Sequence, residues 1–115
     1  MNIEVNNQTA IVREPGVLIT SGSSAMDLLA TVRYETGCSA MVLRKEQLDE
    51  SFFRLSSGLA GEVLQKFVNY QMKLAIVGNF SGYASKPLQD FIRESNRGKT
   101  VFFLSTEAEA LQKLS

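Results

Sequence analysis

The chain has 115 residues, 44% hydrophobic and 21% charged, which suits one domain with a real core and leaves little room for two. Twelve Lys and Arg balance twelve Asp and Glu, so no overall field favours nucleic acid or an anionic membrane. A single Cys excludes an internal disulfide, and the lack of any His removes both a zinc cluster and a Ser/His or Cys/His dyad.

The first residues alternate as strands do. Ile3 and Val5 share one face, Asn6-Asn7 supplies a turn, and Ala10-Ile11-Val12 returns before Pro15-Gly16, giving a hairpin. Val17-Leu18-Ile19 is a short extended piece. In the loop Thr20 to Ser24 the last serine is positioned to cap a helix, with Asp27 completing a capping-box-like start. Ala25, Leu28, Leu29 and Val32 recur at helical spacing, and Gly37 ends that helix. Ala40-Met41-Val42-Leu43 is a wholly apolar strand, followed by the polar stretch Arg44 to Glu50. Ala60, Val63, Leu64, Phe67 and Val68 then mark a second helix. Leu74 to Val77 is a strand closed by Gly78. Ser85 caps a third helix with Pro87 in its first turn and Leu88, Phe91 and Ile92 as its inner stripe; Asn96 to Gly98 stops it. Val101 to Leu104 makes the last strand, and Thr106 with Glu109 forms a capping box opening a final helix.

Helix and strand in alternation after a hairpin imply an α/β domain over residues 1–115, with a mixed central sheet that is parallel in its later part. Ligands and partners of such sheets meet the loops at the carboxyl ends of the strands, here Thr20–Ser24, Arg44–Ser57, Gly78–Ala84 and Leu104–Thr106. Two loops hold the candidate site residues. Ser56, Ser57 and Gly58 sit where a loop becomes a helix, a setting in which hydroxyls and free amides face a phosphoryl group together. Asn79, Phe80, Ser81, Gly82 and Tyr83 form a glycine-bearing loop that matches neither a dinucleotide fingerprint nor a P-loop, and that displays two aromatic rings as a contact surface. Arg33 is a candidate anion contact. Cys38 reads as a plain packed thiol, since nothing beside it would lower its pKa.

The order of elements and two local strings resemble the STAS domain of bacterial anti-sigma factor antagonists. Leu55-Ser56-Ser57-Gly58-Leu59 is similar to that family's Asp-Ser-Ser/Thr-Gly-Leu phosphorylation loop, and Phe102 to Leu111 to its closing strand and helix start. The strings Ala30 to Cys38, Gly58 to Glu62, Lys73 to Gly78 and Phe80 to Tyr83 resemble the bacterial domain-of-unknown-function family 4180. The first resemblance implies a phosphoacceptor at Ser56 with Ser57 as its hydroxyl neighbour. It also marks a departure, because Leu55 stands where the motif has Asp. The second implies the fold and carries no activity.

These readings lead to a STAS-like regulatory or interaction module that binds a protein partner or small anionic ligand through the strand-end loops and is switched at Ser56. No catalytic residue, metal or cofactor is expected, and neither a nucleic-acid nor a membrane partner. A homo-oligomer is a further expectation. The first residues lack a basic and apolar leader, and the longest apolar runs fall far short of the roughly 20 residues that span a bilayer, so the expected location is cytoplasmic. The alternative is a small-molecule-binding protein or enzyme using the Gly78–Tyr83 loop and Arg33, with Asp27 as a further polar anchor.

Overall fold

The computed structural model describes residues 1–115. Strands β1 (Ile3–Asn6) and β2 (Thr9–Val12) form the hairpin. The turn falls on Asn7 and Gln8, one residue later than the asparagine pair suggests. Both adopt positive φ, 48° and 69°, the backbone that matches the twist of a two-residue hairpin.

Helix α1 (Gly22–Thr36) begins earlier than expected. Its N-cap is Ser21, whose hydroxyl accepts from Ser24 N at 3.1 Å, while Ser24 Oγ accepts from Ser21 N at 3.0 Å. Ser24 is therefore the third helical residue rather than the cap, and Asp27 lies beyond the box. At the other end Gly37 takes φ 72° and returns its N–H to Arg33 O.

Strand β3 (Ala40–Arg44) leads into a segment with no α-helix, built instead from 3-10 turns at Lys45–Gln47, Glu50–Phe53 and Leu55–Ser57. Helix α2 (Leu59–Asn69), strand β4 (Lys73–Val77), helix α3 (Lys86–Arg97), strand β5 (Val101–Leu104) and helix α4 (Glu107–Leu114) follow as their patterns predict. Ser85 caps α3, and the Thr106/Glu109 box caps α4.

The sheet order is β1-β2-β3-β4-β5, antiparallel only between β1 and β2. Successive parallel crossovers of one hand place α1, α2 and α3 on the same face. Side chains of period two then divide between two cores. Val12, Met41, Leu43, Leu74, Ile76 and Phe103 face the three helices, whereas Ile11, Val42, Ala75 and Phe102 face Ala110 and Leu114 of α4. Arg13, just past β2, holds the start of α4 by donating to both carboxylate oxygens of Glu107, at 2.7 and 3.0 Å, and also to Glu4.

Two buried or half-buried amides organise the margins. Gln47 is fully buried; its Nε2 donates to Val12 O and Glu14 O, and its Oε1 accepts from Arg44 N. On the outer edge of β5, Asn96 pairs with both backbone groups of Phe103, accepting from its N at 2.7 Å and donating to its O at 3.1 Å. No helix is long and apolar enough to cross a membrane.

Candidate functional site

The carboxyl ends of the parallel strands gather the β2–α1, β3–α2, β4–α3 and β5–α4 loops on one end of the molecule, as the α/β pattern requires. Within the β3–α2 segment, Leu55 is half-buried against the main core, which pulls the last 3-10 turn down and leaves Ser56 at its tip. Ser56 is exposed and its hydroxyl makes no hydrogen bond. Ser57 differs. Its Oγ donates to Ser51 O at 2.6 Å and accepts from Leu59 N at 3.2 Å, so it fastens the turn to the start of α2. Gly58 adopts φ 78°, a left-handed conformation that lets Leu59 enter the core. The two serines therefore do not face outward together: one is free and the other structural.

A cleft of about 370 Å³ separates this turn from the β2–α1 loop and is lined by Thr20, Ser21, Ser51, Ser57, Gly58, Leu59 and Glu62. Glu62, in the first turn of α2, crosses it and accepts from Gly22 N at 2.6 Å, placing a carboxylate at the positive start of α1. That approach depends on glycine, since a Cβ at position 22 would lie 2.6 Å from the Glu62 Cδ. Nearby, the Asp49 carboxyl is held below its ordinary pKa by the Ser51 hydroxyl, then by the Ser51 amide.

The β4–α3 loop corrects a sequence expectation. Phe80 and Tyr83 are turned inward rather than displayed. Phe80 meets Phe103 edge-on at 5.4 Å between ring centroids, and Tyr83 stacks on Phe53 at 5.2 Å. The partners that draw them in come from β5 and from the 3-10 segment, both remote in sequence. What remains outside is Asn79, Ser81 and Gly82, with Asn79 Oδ1 accepting from both the amide and the hydroxyl of Ser81. Tyr83 Oη donates to Glu50 Oε1 at 2.9 Å; burial first, and this carboxylate second, raise the phenol pKa above its ordinary value.

Arg33 does not join this surface. Near the end of α1, it donates to Gln71 O at 3.4 Å, just ahead of β4, whereas the Gly78–Tyr83 loop follows that strand. The length of a five-residue strand, roughly 16 Å, separates the two ends. Asp27 stands exposed on α1 and makes no hydrogen bond or ion pair. Sequence reasoning also missed two contributors. Phe53 and Glu50 lie in a stretch without helical or strand period, and no local signal marks them as partners of Tyr83.

Other cavities lie at either end of the sheet. One of about 430 Å³ opens between the carboxyl ends of β4 and β5, lined by Gly78 to Ser81 and Phe103 to Ser105. The other, about 590 Å³, lies at the opposite end among the hairpin turn, Cys38 and Lys73. Cys38 itself is buried, its thiol directed at Thr36 O. No group of three or more His, Cys, Asp or Glu side chains is placed to hold a metal ion.

An antiparallel hairpin feeding a parallel sheet, with three helices on one face and one on the other, defines a STAS-like α/β domain. The crystal structure of a Thermotoga maritima protein assigned by inference as an anti-sigma factor antagonist is similar, with TM-score 0.51, 15% identity, and coverage of 97% of this chain and 92% of that one. The chain belongs to the family known as domain of unknown function 4180, DUF4180, whose sequence profile matches residues 4–114. No curated protein matches it.

Proposed function

We propose that this domain is a regulatory interaction module, binding a protein partner, or a small anionic ligand, through the loops at the strand carboxyl ends, with Ser56 as a phosphoacceptor. The observation that carries the reading is the contrast between two adjacent hydroxyls. Ser57 is consumed by the turn, while Ser56 is exposed and unbonded one turn ahead of α2. A phosphate there would add about −1.5 to −2 charges to a surface whose formal charges otherwise balance over the chain. Arg54, exposed two residues earlier, is the nearest basic group in the chain, and Leu55 means that the kinase reads an apolar residue before its target. The likeness to a protein assigned as an anti-sigma factor antagonist supports a role exercised through protein partners.

Phosphoproteomics of the native host, paired with pull-downs using Ser56→Ala and Ser56→Asp, tests this. Phosphate on Ser56 and partner sets that differ between the variants are expected. Identical sets and an unmodified Ser56 would end the switch reading.

A second reading rests on the 430 Å³ cleft. The β4 loop departs toward the three-helix face and the β5 loop toward α4, so the cleft occupies the topological switch point where α/β sheets receive small ligands. Its lining carries backbone amides and the hydroxyls of Ser81 and Ser105 but no charged side chain, which suits a small, neutral, polar molecule. NMR titration against such compounds should shift Gly78–Ser81 and Ser105 together. Unmoved signals across a broad set would dismiss it.

A further inference from the structure

The sheet's two edges are finished differently. On β5 the outward backbone groups of Phe103 are taken by the Asn96 amide. No side chain does the same for β1, which is exposed from Glu4 to Asn6 while β2 beside it is buried throughout. The hairpin register fixes which groups are free. Arg13 N donates to Asn2 O directly across the ladder, so by alternation Glu4 with Ile11 and Asn6 with Thr9 are the hydrogen-bonded pairs. Ile3 and Val5 occupy the intervening positions and turn their N–H and C=O groups away from β2, to the open edge.

We propose that the β1 edge is an interaction surface of its own, which takes an extended segment of a partner protein as an added strand antiparallel to β1, with Lys or Arg facing Glu4 and apolar residues facing Ile3 and Val5. None of the residues lining the two strand-end clefts belongs to β1, so this surface is separate from the one assigned to Ser56. Main-chain bonds to Ile3 and Val5 supply the attachment, and side chains supply the choice of partner. On the helix-covered face, Ile3 packs against the main core and Val5, two residues on, is 53% exposed, an apolar row that an added strand would extend.

Charge selects the occupant. Glu4 lies opposite Ile11, on the face covered by α4, and Arg13 reaches it there. Both Arg13 contacts, from Nε at 3.3 Å and Nη2 at 3.1 Å, fall on Glu4 Oε1, which leaves Oε2 without a hydrogen bond. The same guanidinium donates to both oxygens of Glu107. Two carboxylates share one cation, so one negative charge stays uncompensated at the middle of the open strand. With Ile3 and Val5 bonded to an added strand, Glu4 falls in a non-hydrogen-bonded pair, where facing side chains approach most closely. A Lys or Arg there meets the free oxygen. A second copy of the chain fits the backbone but fails on charge: pairing about Glu4 sets Ile3 against Val5 and Glu4 against its own equivalent, and like charges directly opposed are destabilising. The carboxylate that guards the edge against self-association thus favours a basic strand.

NMR titration of the full chain with two short synthetic peptides, alike except for Val-Lys-Val or Val-Glu-Val at the centre, provides the test. The Lys peptide should shift the amides of Ile3 and Val5, slow their hydrogen exchange, and bind about tenfold more tightly than its Glu twin, the swing from an opposite-charge to a like-charge facing pair. Glu4→Lys, which leaves the Arg13 fork on Glu107 in place, should reverse that preference. Val5→Pro removes an outward N–H and no bond to β2, so it should weaken both peptides while the signals of β3 to β5 stay unchanged. Should that variant fail to fold, the reversal by Glu4→Lys decides alone. Amides of Ile3 and Val5 that stay still at millimolar peptide, or equal affinity for the two peptides, would overturn the proposal. Concentration-dependent association of the parent chain, abolished by Val5→Pro, would make a second copy the occupant and overturn it equally.

Discussion

Replacing Gln47 by Leu keeps the side chain's volume close to constant and removes three hydrogen bonds where the chain leaving β2 meets the start of the β3–α2 segment. Nε2 supports Val12 O at 3.0 Å and Glu14 O at 2.8 Å, and Oε1 receives Arg44 N at 2.7 Å. A buried polar group left without a partner costs about 1–3 kcal/mol. Val12 is buried and bears that cost in full, whereas Glu14 and Arg44 are half-exposed and recover part of theirs from water. The sum is a loss of about 2–4 kcal/mol, a large share of the roughly 5–15 kcal/mol typical of a domain. At about 4 °C per kcal/mol, the midpoint of thermal unfolding should fall by about 8–16 °C. Urea unfolding followed by circular dichroism would measure it, with the slope unchanged. Gln47→Glu sharpens the test, because it places a carboxylate before two carbonyl oxygens. Its folded pKa must rise above the unfolded value of about 4.3, so its stability is closest to that of Gln47 below that pH and declines as pH rises through the folded pKa. A Leu variant within about 0.5 kcal/mol of the parent would refute the reasoning, since ordinary exposed sites change stability by no more than that.

Two other outcomes are expected. Asp49 has a folded pKa below its unfolded value, so its bonds to Ser51 stabilise the fold above about pH 3.9 and are lost as pH falls through the folded pKa. Asp49→Ala should therefore match the parent in strong acid and fall behind it toward neutrality, as read from urea midpoints at stepped pH; a constant gap would deny the linkage. Asn96→Ala uncaps Phe103 N and O on the β5 edge, which should cost about 1–3 kcal/mol for two bonds and allow strand pairing between copies. Light scattering should then show concentration-dependent association, and a monodisperse variant would speak against the cap's protective role.

The elements were legible wherever a local rule was strict. Alternation exposed the hairpin, apolar runs the parallel strands, and the Thr106/Glu109 and Ser85-Pro87 patterns two helix starts. The start of α1 was ambiguous because Ser21, Ser23 and Ser24 are equivalent caps by composition, and the contact that discriminates, Gly22 N with Glu62, lies 40 residues away. The stretch Lys45–Ser57 was opaque for a different reason. Turns of three or four residues are too brief to leave a period, and Gln47 looks like any polar loop residue until the backbone around it closes. Loop aromatics show the limit for the site. Phe80 and Tyr83 were visible as a pair, but whether they point outward or inward is decided by Phe53 and Phe103, whose arrival is a matter of topology. Arg33 is a similar case: its position along a helix does not state which end of the sheet it reaches.

The sheet's two faces are unequally defended. One core gathers 23 buried residues beneath three helices, while the other has seven, and its only helical covering is α4. Ala110 and Leu114 pack that helix on the sheet, and Arg13 adds a polar tie, its guanidinium fork gripping Glu107. Should α4 come away, the larger core would survive, and a nearly folded molecule would present Ile11, Val42 and Phe102 to its surroundings. Such a molecule would offer an apolar face to a second copy, and the Arg13 fork on Glu107 is one of the contacts, with the burial of Ala110 and Leu114, that oppose its formation.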